Sequence, residues 1–254
     1  MKLQRIIAVS AIVFTLFLLQ YSSALAKRPP SKSTPVAVAT AQAASPCAGD
    51  LDSCPDQGCG EFADFELNRA KNRKDNPDPQ SIQPMTLSSI KQINQPKRWN
   101  TGDNRAPITG DGKEGTPVIV TSILKRVKQE GAESCNCNLD VEDVTTDLHL
   151  VLVSVKTDAE EKSVTAEITP RMRKASHPNW VFPNVKPLEG KFIRLTGWLM
   201  LDTKHIPQSH RQPNERRNQP LKRATNWEVH PIIKFEVCTQ TVAMCRTGVG
   251  WKEF

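Results

Sequence analysis

The sequence lacks the short motifs that mark the common enzyme classes. It has no Gly-rich phosphate loop, no Ser-centred nucleophile elbow, no His-Glu-x-x-His pair and no EF-hand loop. No Cys-x-x-Cys spacing appears, which weakens a zinc-site interpretation of the thiols. After the first 26 residues no apolar run approaches the roughly 20 residues that a membrane-spanning helix needs. These classes therefore lose their usual sequence support.

The first 26 residues have the pattern of a cleavable signal peptide. Lys2 and Arg5 precede an apolar run over residues 6–19, and small residues at 24–26 provide a cleavage site. An uncleaved anchor is the alternative. Cleavage would remove two positive charges and no acids, leaving +5 of the formal charge of +7. We expect an exported protein, periplasmic or extracellular, with no transmembrane span after cleavage.

The seven cysteines, together with export, predict disulfides formed in an oxidising compartment. Because seven is odd, at least one thiol is left over. Cys135 and Cys137 are too close in sequence to pair with each other, whereas Cys238 and Cys245 could close a short loop. The rest of the connectivity stays open.

The composition divides the remaining chain into three parts. Residues 27–46 are small and Pro-rich, which is typical of a disordered linker. Residues 47–115 form an irregular cysteine-containing segment that we expect to wrap the main domain, with a helix-like stretch around residues 62–74. Residues 116–254 hold most of the apolar residues and should form the core domain.

The core domain is predicted to be mainly β, a five-stranded barrel like an OB-fold. Five runs rich in Val, Ile, Leu or Thr are bounded by turn residues, and no strong amphipathic helix lies between them. The long third connection and the loop after the fourth strand are typical of an OB-fold, with a small β-sandwich as the alternative. The runs cover residues 117–127, 147–155, 163–169, 191–201 and 227–237.

Alternation within the strands predicts which side chains enter the core. The core set is Leu148, Leu150, Leu152, Val164, Ala166, Ile168, Trp227, Val229, Ile233 and Phe235. Polar residues alternate with them and should lie on the outer face, and Pro231 suggests a bulge or an edge position.

The outer face carries the candidate catalytic residues. The second, third and fifth strands of an OB barrel are neighbours, so five polar residues could share one patch: Asp147, His149, Glu167, Glu228 and His230. Such carboxylates and imidazoles could act as general acids and bases, and Asp147, His149, Glu228 and His230 could hold a divalent metal ion. Asp202 and His205 could extend the patch. A solvated network that only orients the histidines is the alternative.

Basic residues near the fourth strand are candidates for ligand binding. The loop over residues 203–226 has six basic residues against the single acid Glu215, and the preceding connection adds Trp180 and further cations. Cations would neutralise phosphates, and Trp180 could stack on a base. The candidate ligand-binding residues are Arg171, Trp180, Lys204, His205, Arg211, Arg216, Arg217 and Arg223. A solvated loop that keeps the protein soluble, or contacts anionic lipid or cell wall, is the alternative.

Four stretches resemble a group of exported bacterial proteins of uncharacterised function that look like OB-fold domains. They are ESCNC at 133–137, DLHLVL at 147–152, RLTGWLMLD at 194–202 and NWEVHPI at 226–232, and the resemblance covers about 116–238. A more distant likeness is to the staphylococcal nuclease class, exported OB barrels that cut nucleic acid with carboxylates, arginines and calcium. Their Asp-x-Asp-Thr-type cluster is missing here, so their catalytic residues are not carried over.

Two functions follow as expectations. The first is an exported OB-fold module that binds an anionic polymer, nucleic acid or glycan, through the basic loop and the outer face. The second is a metal-dependent, nuclease-like hydrolase that uses the His/carboxylate patch. An envelope interaction protein without a small ligand is a third class, and the sequence leaves the oligomeric state open.

Overall fold

The structure, a computed structural model, describes residues 45–209 and 221–254. The predicted signal peptide and nearly all of the predicted linker lie outside the described residues. The segment that begins at Cys47 belongs to the same compact unit as the strands.

A closed barrel of five strands forms the centre of the fold. Its strands are β2 (Pro117–Gln129), β3 (Leu148–Val153), β4 (Val164–Ile168), β5 (Phe192–Leu201) and β6 (Trp227–Cys238). The order around the barrel is β2-β3-β4-β6-β5, and β5 pairs with β2 to close it. All pairs are antiparallel except β4 with β6. The predicted OB-like barrel is confirmed, because the second, third and fifth barrel strands are neighbours.

In the described part of the chain, two short strands and five short α-helices surround the barrel. Strand β1 (Gln83–Met85) pairs in parallel with β2, and β7 (Trp251–Glu253) pairs with β6. The helices are α1 (Phe65–Lys71), α2 (Leu87–Gln92), α3 (Pro170–Ser176), α4 (Phe182–Val185) and α5 (Val242–Arg246). Among the described residues no helix is long and apolar enough to cross a membrane.

The predicted core set is buried inside the barrel with one exception. The leucines of β3, the apolar residues of β4, and Trp227, Val229 and Phe235 of β6 are all fully buried. Ile233 is only partly buried, so that prediction was wrong, and Ile232 takes the core position. Strand β6 shifts register against β5 on both sides of Ile232, which reverses the simple alternation.

Gly197 of β5 allows this irregularity beside the candidate site. The register shifts between Gly197, which pairs with Ile232, and Leu199, which pairs with Val229, leaving His230 and Pro231 in the bulge. A Cβ atom at position 197 would lie 2.4 Å from the carbonyl oxygen of Pro231. Only glycine lets the bulged strand approach this closely, so the bulge that Pro231 predicted is confirmed.

The cysteine-containing segment is fastened to the barrel domain by a disulfide and by helix α1. Cys54 is bonded to Cys137, across 83 positions of sequence, while the Cys47–Cys59 and Cys238–Cys245 bonds close short loops. Cys135 is the free thiol among the described cysteines, and it is buried. The expected left-over thiol and the Cys238–Cys245 loop are therefore both found.

Asn68 of α1 and Asn72, the residue that follows α1, hold the helix against the chain around Cys135. Asp64 caps the helix by accepting from the backbone N–H of Leu67. Asn68 donates to the hydroxyl of Ser134, and Asn72 donates to the carbonyl oxygen of Cys135 at 2.7 Å. Together these contacts place α1 and residues 131–138 close to the outer face of the barrel next to β6.

The long-range disulfide should contribute more stability than the C-terminal one. Replacing both Cys54 and Cys137 with alanine frees a loop of 83 positions, whereas the matched Cys238/Cys245 double variant frees a loop of 7. Loop-closure entropy predicts that the first change costs about 2 kcal/mol more than the second. Urea unfolding of both double variants measures the difference, and equal losses would contradict this account of the fastening.

Candidate functional site

The five predicted catalytic residues converge, but four of them are buried and His149 is only partly exposed. Glu167, Glu228 and His230 have no exposed surface, Asp147 is 1% exposed, and the side chain of His149 is 14% exposed. Every residue of β4 is buried on both faces of the strand. The expectation of an open outer surface was therefore wrong, because the cysteine-containing segment covers this part of the barrel.

Glu167 lies at the centre of the buried groups. One carboxylate oxygen is 2.7 Å from Nε2 of His149, and the other is 2.9 Å from Nδ1 of His230. The Glu167 oxygens lack the alignment of hydrogen bonds, so we describe both contacts as ion pairs. Nδ1 of His230 also lies 3.2 Å from an oxygen of Glu228, with hydrogen-bond geometry. One carboxylate thus links the two histidines that the sequence singled out.

Arg223 connects this group to the end of β5. Its guanidinium donates to Glu228 at 2.8 Å and to Asp202 at 2.7 Å. Asp202 is fully buried and lies 2.8 Å from Nδ1 of His205, whose side chain is about one-third exposed. Contacts between ionisable side chains therefore run without interruption from His149 to His205.

Residues outside the barrel strands complete the charge arrangement. Lys71, at the end of α1, lies 2.8 Å from an oxygen of Glu133 and 4.0 Å from Glu167. Asp147 accepts a hydrogen bond from the side chain of Asn136 at 3.0 Å. The buried thiol of Cys135 lies 3.1 Å from Glu133.

We call the connected, largely buried charged groups the ion network. Its members are Lys71, Glu133, Asp147, His149, Glu167, Asp202, Arg223, Glu228 and His230. If the histidines were neutral, its five carboxylates would face only two cations, Lys71 and Arg223. Uncompensated buried charge is very costly. Protons on His149, His230 and Asp147 would make the network neutral.

The pKa shifts of His149, His230 and Asp147 agree with this protonation pattern. Burial acts against the charged form of His230, but Glu167 and Glu228 outweigh it and raise its pKa to about 10. The pKa of His149 is raised well above its ordinary value, since Glu167 and Glu130 outweigh burial. Burial, followed by repulsion from Glu133 and Glu167, raises the pKa of Asp147 to about 7.

Two carboxyls of the network have pKa values well below the usual range. For Glu167 burial favours the neutral form, but the attraction of His149 and His230 outweighs it. For Asp202 burial is again outweighed, here by Arg223 and His205. Asp202 is therefore a permanent carboxylate behind His205.

The predicted metal set is only partly reproduced by the geometry. Asp147, Glu167 and His230 each offer one donor atom, and these three atoms lie within 4.8 Å of one another. A second group of this kind consists of Glu133, Cys135 and Asp147. Oδ2 of Asp147 and Nε2 of His230 have no hydrogen-bond partner among the described residues. The first group could hold a divalent ion of the kind that accepts mixed oxygen and nitrogen ligands, and the metal stays a prediction.

Two neighbouring cavities give solvent access to the exposed ends of the network. A polar cavity of about 310 Å³ is lined by Lys128, Glu130, His149, His205 and Lys222, among others. A second cavity of about 550 Å³ is lined by residues that include Phe62, Lys71 and Lys204. Residues 131–133 and His205 border both cavities. We call the two together the cleft, its parts the polar cavity and the large cavity, and residues 131–133 the strap.

The predicted ligand-binding residues differ in whether the structure places them in the cleft. The prediction was wrong for three of them, Arg171, Trp180 and Arg223, because their side chains are buried. Arg171 donates to the carbonyl oxygens of Cys54 and Pro55, and the ring of Trp180 is stacked on His177 at 3.7 Å. Lys204 and His205 do line the cleft. The remaining members, Arg211, Arg216 and Arg217, lie outside the described residues.

Sequence reasoning missed the contributions from outside the barrel strands. Lys71, Glu130 and Glu133 were not among the predicted site residues, because the sequence does not show which face α1 and the strap cover. Lys222 belongs to the basic loop noted above, but its place in the polar cavity beside His149 was not predicted. The ESCNC stretch was the one available signal, since it includes Glu133 and Cys135.

Comparison of the chain with models of known families, with curated proteins and with solved structures finds no match. The resemblance to exported OB-like proteins therefore stays a prediction.

Removing the central carboxylate should strongly destabilise the fold. Glu167→Gln leaves the charges of His149 and His230 without their shared partner, and breaking a buried pair costs about 3–5 kcal/mol. Glu161→Gln, on an exposed residue near the same strand, is the matched control and should change stability by less than about 0.5 kcal/mol. Urea unfolding at pH 7 compares the two, and equal stabilities would show that the network does not support the fold.

Asp147 should make stability fall as pH rises. Its folded pKa of about 7 exceeds the unfolded value of about 3.9, so the folded state holds the proton more tightly in between. Asp147→Asn mimics the protonated form. Its free energy of unfolding, relative to that of the native protein, should rise by on the order of 2 kcal/mol from pH 5 to 7 and then level off. Urea unfolding at several pH values measures this gain. Asp140→Asn, on an exposed carboxylate, is the matched control variant.

Proposed function

We propose that this protein is a hydrolase of phosphodiesters, acting by general acid–base chemistry at the cleft, with His205 and His149 as the catalytic pair. The observation that carries the proposal is that both histidines line one polar cavity while each contacts a buried carboxylate. Paired imidazoles held by carboxylates are suited to moving protons during hydrolysis.

His205 is suited to the role of general base. Asp202, itself fixed by Arg223, contacts Nδ1 of His205 and orients the ring. The contacts of His205 with described residues use Nδ1, so Nε2 is the nitrogen that can reach a water molecule in the cleft. A carboxylate behind an imidazole fixes its tautomer and stabilises the imidazolium that forms when it accepts a proton.

His149 is suited to the role of general acid. Its raised pKa keeps the imidazolium protonated at neutral pH. Nε2 contacts the buried Glu167, whereas Nδ1 is 3.0 Å from Glu130, which is one-third exposed and lines the polar cavity. A substrate oxygen that replaces Glu130 would receive its proton from Nδ1.

The cations of the cleft favour an anionic substrate. Lys222 in the polar cavity and Lys204 in the large cavity are exposed, and neither has an ion pair with a described residue. Lys128 of the same polar cavity is paired with Glu160. These two exposed ammonium groups lie on either side of His205 and have no ion pair among the described residues, so they are well placed for a phosphodiester lying across the strap.

The proposed reaction is attack of water on phosphorus. His205 accepts a proton from the water as its oxygen bonds to phosphorus, and the bond from phosphorus to the leaving oxygen breaks. His149 donates its proton to that oxygen, so a phosphomonoester and an alcohol are released. Exchange of protons with solvent restores both imidazoles. Should a divalent ion bind Asp147, Glu167 and His230, it would polarise the network behind His149.

The disulfides support export to an oxidising compartment. An extracellular or periplasmic phosphodiesterase would meet nucleic acid as a polymeric substrate. Binding of such a polymer without hydrolysis is the weaker alternative, because the outer barrel face that OB-folds use for it is covered here.

The decisive experiment is hydrolysis of bis(p-nitrophenyl) phosphate and of single-stranded DNA and RNA oligonucleotides, each with and without EDTA. His205→Ala and His149→Ala should each lower kcat/KM by about 100-fold or more. Lys222→Ala should mainly raise KM. Loss of activity with EDTA would assign the reaction to a metal as well as to the two histidines.

His177→Gln is the control, because this histidine lines neither cavity. It should keep full activity, and circular dichroism of every variant should show an intact fold. Activity that is unchanged in both catalytic-site variants, or no hydrolysis of any of the three substrates by the native protein, would refute the proposed function.

A further inference from the structure

The large cavity differs in chemistry from the polar cavity that it adjoins. Its wall includes the apolar side chains of Phe62 and Leu67, together with Asp140 and Lys204. The polar cavity is lined almost throughout by charged and polar residues. A ligand that fills the whole cleft must therefore be charged at one end and have a flat or apolar part at the other.

Phe62 stands out on the wall of the large cavity. It is 72% exposed, the highest value among the large apolar residues of the described chain that remain exposed. It belongs to the segment that the Cys54–Cys137 disulfide, Asn68 and Asn72 fasten in place. An aromatic ring held at the edge of a cavity offers a face on which a planar group can stack.

We infer that the large cavity is a subsite for a nucleobase, so that the substrate of the cleft is a single-stranded nucleic acid. This inference rests on the proposed function and adds the substrate class. The base stacks on Phe62, Asp140 and Lys204 offer an acceptor and a donor for its edge, and the adjacent phosphodiester lies at His205.

His205 lies where the two cavities meet. It borders both of them, as do the strap residues. A nucleotide joins a planar base to a phosphodiester through a sugar, which matches two adjoining subsites with the reacting histidine between them. A neutral glycan has no charge for Lys204 and Lys222, neither of which has an ion pair with a described residue.

The test compares a short single-stranded oligonucleotide with an abasic oligonucleotide of the same length and charge. The native protein should have a kcat/KM roughly ten-fold or more higher for the base-containing strand, since one base–aromatic stack contributes about that much. Phe62→Ala should abolish the preference, whereas Phe62→Tyr should keep it. Lys222→Ala should lower the rate on both strands alike.

Phe65→Ala is the matched control. Phe65 is also exposed, lies three residues further along the chain and does not line the large cavity. This variant should keep the full preference for the base-containing strand. Because Phe62 and Phe65 are both exposed, neither variant should disturb the fold.

The outcomes separate this inference from the proposed function. Equal hydrolysis of the two strands by the native protein overturns the nucleobase subsite while the hydrolase stands. If neither strand is cut, fluorescence polarisation of the same two strands decides. Tighter binding of the base-containing strand that Phe62→Ala abolishes supports the subsite without hydrolysis, and equal or absent binding overturns it.

Discussion

Burial of charged groups between the barrel and its cysteine-containing segment constrains the rest of the structure. The outer face of an OB-like barrel is ordinarily where a polymer binds, and here α1 and residues 131–138 cover it. Glu167, Glu228 and His230 consequently have no water to solvate them. They must compensate one another, and this requirement accounts for the convergence of Lys71, Arg223 and the histidines around them.

The same constraint decides where chemistry can occur. A fully buried group cannot reach a substrate, so the interior of the ion network can only orient and polarise. Two histidines are different: His149, a member of the network, and His205, attached to it through Asp202, each contact a buried carboxylate and still border the polar cavity. The network therefore gives two cavity-facing imidazoles fixed positions, and the carboxylates of Glu167 and Glu130 raise the pKa of His149.

The fastening of the segment links stability to the site. The Cys54–Cys137 bond, Asn68 and Asn72 hold α1 in place, and α1 carries Lys71 into the network. A lysine alone in such surroundings would lose its charge, but Glu133 and Glu167 outweigh burial and raise its pKa well above the ordinary value. Disulfide, helix and ion network thus form one connected arrangement, in which loosening the segment would expose the buried charges.

Alternating patterns in the sequence determined the barrel and its core. They also determined that His149, Glu167, Glu228 and His230 lie on one face, because local backbone geometry makes successive side chains of a strand point to opposite faces. The Pro-induced irregularity was visible too, although its effect on Ile233 was not. Tertiary structure alone decided that this face is buried, that Trp180 and Arg223 are inside, and that Lys71, Glu133 and Lys222 join the site. These outcomes depend on which distant segments pack together, and single-sequence periodicity contains no information about such contacts.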